Sequence, residues 1–166
     1  MSESITRRAM IAKAWKTGVG LAAAAGIWTS WDTLRPRNTQ GFGGKLKTIA
    51  SSLVPSSDAV EVREAQTWLT TIDEQPVALW WKCPHLGCRV PWCESSGQFE
   101  CPCHGSIYNR AGEHRSGPSP RGMDRFAVEI VDDVIVVDTS TVIEGPPLGT
   151  ETIDEPVRGP SCVGEA

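Results

Sequence analysis

With 166 residues the chain is sized for one domain with appendages, and 22% charged and 40% hydrophobic residues are ordinary for a folded protein. Its net charge of −4 is unevenly divided: residues 1–50 carry eight Lys/Arg against Glu3 and Asp32, whereas residues 51–166 carry eight against eighteen Asp/Glu. A basic front on an acidic body argues against nucleic-acid binding and for an N-terminal address or anchor.

The first predicted element is an N-terminal helix. Residues 17–31 carry no charge. Extending the run back over Lys16 and Lys13, whose stems can snorkel, yields roughly 20 largely apolar residues, enough for a transmembrane helix. Trp28 and Trp31 stand at its far end, where interfacial aromatics belong. Arg7-Arg8 precedes the run as in a twin-arginine export signal. Cleavage is disfavoured because Trp28, Trp31 and Asp32 occupy the places of small residues. Residues 1–34 are therefore expected to be a retained, single-pass anchor in a bacterial cytoplasmic membrane. Flanking positive charges tie at four against four, and the arginine pair tips the orientation to a cytoplasmic N-terminus with the body outside.

Residues 35–57, with Gly41, Gly43 and Gly44, are expected to form a flexible linker, the glycines acting as a hinge. Beyond residue 58 short strands are predicted: TWLTTI (67–72) and VALWWK (77–82) around the turn DEQP, and RFAVEIV (125–131) and VIVVDT (134–139) around Asp132-Asp133. Residues 83–122 are rich in Gly, Pro and Cys and predict loops. The tail, 143–166, is rich in Pro, Gly and acid, which predicts an extended or disordered segment.

Two boxes carry the chemistry, CPHLGC at 83–88 and CPCHGS at 101–106. Together they hold four of six cysteines and two of three histidines. Thiolate and imidazole suit zinc, iron or an iron–sulfur cluster. A zinc ribbon uses four such ligands and leaves two without a role. No C-x-x-C pair is present, which excludes thioredoxin-type chemistry.

The paired boxes closely resemble those of Rieske iron–sulfur proteins, over roughly residues 60–140. The resemblance implies an all-β fold, a small antiparallel Rieske-type β-sandwich with cluster-binding loops behind the transmembrane helix, spanning residues 58–142. It implies a [2Fe–2S] cluster with Cys83 and Cys101 on one iron, His85 and His104 on the other, and a Cys88–Cys103 disulfide tying the loops. That disulfide and Gly117-Pro118-Ser119-Pro120, which resembles the loop covering the cluster, point to the cytochrome bc-type branch. There the protein is the electron-transfer subunit of a quinol–cytochrome c oxidoreductase. It takes one electron from quinol, passes it to a cytochrome c-type acceptor and docks on a cytochrome b-type subunit. In this reading His104 contacts quinol, Leu86 helps form the docking cap, and the hydroxyls of Ser106 and Tyr108 bond to cluster sulfurs and raise the potential. Pro84 departs from the threonine common at that place. An exported Rieske subunit of an arsenite-oxidase-like enzyme is the alternative. Cys93 and Cys162 lie outside the pattern, open to a second disulfide, free thiols or a bond to another subunit. His114 is expected on the surface.

Overall fold

The computed structural model describes residues 6–35 and 42–163. The chain divides into two compact units, Met1–Thr39 and Gln40–Ala166.

Among the described residues the first unit holds one helix, α1 (Arg7–Leu34), whose N-cap Thr6 accepts a hydrogen bond from the Ala9 N–H at 3.3 Å. It has no buried residue. Its 28 residues extend about 42 Å at 1.5 Å per residue, so length suffices for a span. Apolarity does not: among the described residues no helix is long and apolar enough to cross a membrane. The transmembrane expectation is corrected on this point. Alanine and glycine dominate residues 18–26, and Thr17, Thr29, Ser30 and Thr33 add hydroxyls. Small side chains remove little apolar area from water, so an uncharged run is not by itself a strongly hydrophobic one.

The second unit is β throughout: β1 (Lys45–Ala50), a 3-10 turn (Ser51–Leu53), β2 (Val60–Val62), β3 (Thr67–Ile72), β4 (Gln75–Trp80), β5 (Trp92–Cys93), β6 (Gln98–Glu100), β7 (Ile107–Tyr108), β8 (His114–Ser116), β9 (Arg125–Val131) and β10 (Val134–Ile143). A six-stranded sheet has the order β1-β10-β9-β4-β3-β2, and a four-stranded sheet the order β5-β6-β7-β8. All pairings are antiparallel. Both predicted hairpins form, with two-residue turns at Asp73-Glu74 and Asp132-Asp133 and positive φ at all four residues. That backbone matches strand twist, and Asp tolerates it better than most residues.

Two cores result. Leu69, Ala78, Phe126, Ile135 and Val137 fill one behind the large sheet. Trp68, Leu79, Val90, Phe99 and Met123 fill the other, together with Cys83, Cys101 and Tyr108. Each fully buried aliphatic or aromatic chain contributes about 1.5–3 kcal/mol, so the boxes are rooted in well-packed material.

The linker expected over 35–57 is corrected from residue 42 onward; residues 36–41, including Gly41, lie outside the described residues. Lys45–Ala50 forms β1, paired antiparallel with β10 with one register shift between Lys47 and Ala50. The Gly44 carbonyl accepts from Thr139 N–H at 3.1 Å and Oγ1 at 3.2 Å, and the Phe42 N–H donates to Thr139 O at 3.1 Å. Gly43 and Gly44 are thus held against the sheet, not free as a hinge.

Candidate metal centre

The two boxes adopt the same local fold. In the first, the Cys83 N–H donates to Cys88 O at 2.8 Å and the Gly87 N–H to Cys83 O at 2.9 Å. In the second, Cys101 donates to Ser106 O at 2.8 Å and Gly105 to Cys101 O at 3.1 Å. The fifth residue of each, Gly87 or Gly105, has φ near +80° (84° and 73°), a conformation that a Cβ disfavours. Each loop closes on a β platform: the Lys82–Arg89 bridge brackets the first, and β6 and β7 bracket the second.

A disulfide between Cys88 and Cys103 joins the loops, and Cys93 pairs with Cys162 in a second one. Two free thiols remain, Cys83 and Cys101, both buried. The sulfur of Cys101 lies within 4.8 Å of those of Cys88 and Cys103. The rings of His85 and His104 face each other edge to face, centroids 4.9 Å apart. His104 is exposed and His85 partly so. The tips therefore present two imidazoles outward with two thiols beneath.

The surroundings of the thiols are polar in the right sense. Burial pushes the Cys101 thiol up; the N–H groups of Cys103 and His104 act against this by hydrogen bonding to it. Such donors favour the thiolate that a metal requires. The Tyr108 hydroxyl lies 3.2 Å from Cys83 Sγ. Ser106 is buried, and its Oγ accepts the Ser119 N–H at 3.2 Å. The donor set fits a mixed Cys/His iron–sulfur cluster: two buried thiols unused by disulfides, two neighbouring imidazoles, and donors aimed at sulfur.

Residues 117–120 press on the second box. A Cβ on Gly117 would lie 2.5 Å from Ser106 Cα. Leu86 projects from the first box, 70% exposed. His114 sits between these parts: its Nε2 lies 3.0 Å from Gly117 O, and its ring stands edge-on to Tyr108 at 6.0 Å. The sequence placed His114 on the surface and gave no sign of its contacts with Tyr108 and Gly117, since it belongs to neither box; Ser119, inside the 117–120 run, is buried. Trp68 packs in the core beside the thiols, donating to Val90 O at 2.9 Å.

The family model for the Rieske [2Fe–2S] domain matches residues 46–130, just over half of the chain. The cytochrome b6-f complex iron–sulfur subunit 3 of Nostoc sp. is 28% identical over 153 residues, covering 82% of this chain and 86% of the relative. Cytochrome b6-f complex iron–sulfur subunit 2 of the Cyanophora paradoxa cyanelle is 48% identical over 54 residues, 32% of this chain. The subunit from Gloeobacter violaceus is 44% identical over 55 residues, 33% of this chain. These last two matches cover only 22% and 30% of the relatives' lengths. A solved hyperthermophilic respiratory Complex III contains a chain matched at 24% identity and a TM-score of 0.46, over 72% of this chain and 98% of that one.

Proposed function

Because the chain belongs to the Rieske [2Fe–2S] domain family, we propose that Cys83 and Cys101 hold one iron of its [2Fe–2S] cluster and His85 and His104 the other, and that the protein is the Rieske subunit of a quinol-oxidising cytochrome bc-type complex. One observation carries the ligand assignment. Of six cysteines, four are consumed by disulfides, and the two left are buried at the head of the two boxes that bear the paired histidines. Relatives named as cytochrome b6-f iron–sulfur subunits support the choice of complex.

When bound, the cluster supplies one-electron chemistry at a potential raised by its two imidazole ligands. The chain's own groups shape that chemistry. Tyr108 donates its O–H to Cys83 Sγ, which favours the more negative, reduced state. The N–H groups of Cys103 and His104 serve Cys101 in the same way. Ser106, buried under the 117–120 loop, adds a hydroxyl close by. With a cluster bound, His104, the exposed imidazole, would receive the quinol hydroxyl at its other ring nitrogen and, where that nitrogen is deprotonated, would take the quinol proton as the electron leaves for the cluster. Leu86 excludes water beside it and docks on a cytochrome b-type subunit; a cytochrome c-type protein accepts the electron. The β unit works on the outer side of a cytoplasmic membrane, which two disulfides and the Arg7-Arg8 pair support.

An EPR-monitored redox titration of the cluster-loaded full chain at several pH values tests this. A Rieske signal with a high potential that falls as pH rises is expected. A low, pH-independent potential would keep the cluster and overturn the quinol assignment. Zinc in place of iron, with no signal, would overturn both.

A further inference from the structure

The C-terminal segment beyond β10 forms no strand or helix up to Val163, yet it is fastened to the β unit along its length: the Gly145 N–H donates to Asp124 at 2.9 Å, Arg158 pairs with Asp58 at 2.6 Å, and the Ser95 hydroxyl donates to Pro160 O at 2.7 Å. Two buried carboxylates hold it. Glu113, 1% exposed, accepts the Thr152 N–H at 2.9 Å and the Thr152 hydroxyl at 2.5 Å, along with Asn109 Nδ2 at 2.6 Å. Glu100, also 1% exposed, accepts the Cys162 N–H at 2.7 Å, the Val163 N–H at 3.2 Å and the Ser161 hydroxyl at 2.8 Å, along with Ser96 Oγ at 2.6 Å. Buried Arg110 pairs with Glu155 between these anchors, and Arg115 pairs with Glu151 just outside them. The Cys93–Cys162 disulfide adds a covalent tie across 69 residues.

The placement of the anchors is the informative fact. Glu100 ends β6, immediately before Cys101. Asn109, Arg110 and Glu113 lie in the turn that follows Tyr108. The segment thus grips both stems of the second box and touches neither iron-facing side chain. Without it, two buried carboxylates would lose most of their donors, a state that folded proteins avoid.

Building on the ligand reading above, we propose that residues 144–163 are a strap that sets the position of the second box and of the Tyr108 hydroxyl, with Glu100 and Glu113 as the positioning residues through which it acts. Its effect on redox chemistry runs through the Tyr108–Cys83 contact at 3.2 Å, because Tyr108 is the last residue of the clamped stem.

The test uses the cluster-loaded full chain and two strap variants, a truncation after Gly149 and the double substitution C93S/C162S. Each is titrated by EPR alone and combined with Tyr108→Phe. The strap variants are expected to retain a Rieske signal and to lower the midpoint potential by at least half the drop caused by Tyr108→Phe alone. Combined with Tyr108→Phe they should add little, since both changes act on one contact. Wild-type potentials in the strap variants, or drops that add in full to that of Tyr108→Phe, would overturn the proposal. If the truncation fails to fold, C93S/C162S decides by the same criteria. Absence of a Rieske signal from the unmodified chain would instead overturn the ligand reading.

Discussion

Tyr108 is the only tyrosine in the chain, is fully buried, and contacts Cys83 Sγ. Burial pushes its hydroxyl well above the ordinary value, and the contact with Cys83 pushes the same way. It therefore stays protonated, as a donor must. A net hydrogen bond of about 1 kcal/mol corresponds to roughly 40 mV for one electron, given about 59 mV per tenfold. Tyr108→Phe should lower the midpoint potential by that order with the Rieske EPR signal retained. Gly117 is a second position where one atom decides. Its φ is +92°, and a Cβ would meet Ser106 Cα at 2.5 Å. Gly117→Ala should cost more than about 1 kcal/mol and lower Tm by several degrees. Gly149→Ala is the control: its φ is also positive, at +80°, but nothing lies within 4 Å of its added Cβ, so it should cost less. Calorimetry of both variants checks the ordering.

At the scale of elements, the long hairpins were readable and the short strands were not. β3, β4, β9 and β10 carry β-branched and aromatic runs with turn residues between them. β5 to β8 have two or three residues each, too few to show a period of two. They exist because the large sheet and the boxes hold them. The tail is another such case. Its composition reads as extended or disordered, and it is Glu113 and Glu100, far away in sequence, that fasten the extended form. Burial pushes the Glu113 carboxyl up; hydrogen bonds from Thr152, Asn109 and the N–H of Ile153 outweigh that and hold it below its ordinary 4.5. A carboxyl lowered in the folded state stabilises fully above the unfolded value, and loses that contribution as pH falls through the folded one. Stability should therefore decline below about pH 4.5, and Glu113→Gln should flatten the decline. Urea midpoints between pH 3 and 7 measure it.

At the scale of the whole molecule, the uneven charge and the disulfides bear on where the β unit works. Disulfides persist in oxidising compartments, and both of those present hold this unit together. The proposal that Arg7 and Arg8 direct export predicts that R7K/R8K leaves the protein in the cytoplasm with Cys93 and Cys162 reduced. Fractionation with thiol labelling reads the outcome; unchanged export would sink the twin-arginine reading. The helix shows the limit of counting charges. Its run lacks ionised groups over residues 17–31 but consists mainly of small and hydroxyl-bearing side chains, so it falls short of a membrane span.

The sequence alone determined the chemistry of the centre and the class of the fold. Cys/His boxes must supply ligands at short, fixed spacings, and strand runs must alternate over several residues, so both leave local marks. Tertiary structure decided the rest: the pairing of Cys93 with Cys162, the strand at Lys45–Ala50, and the fastening of the tail. Each of these depends on partners remote in sequence, and no local pattern encodes a contact whose other half lies dozens of residues away.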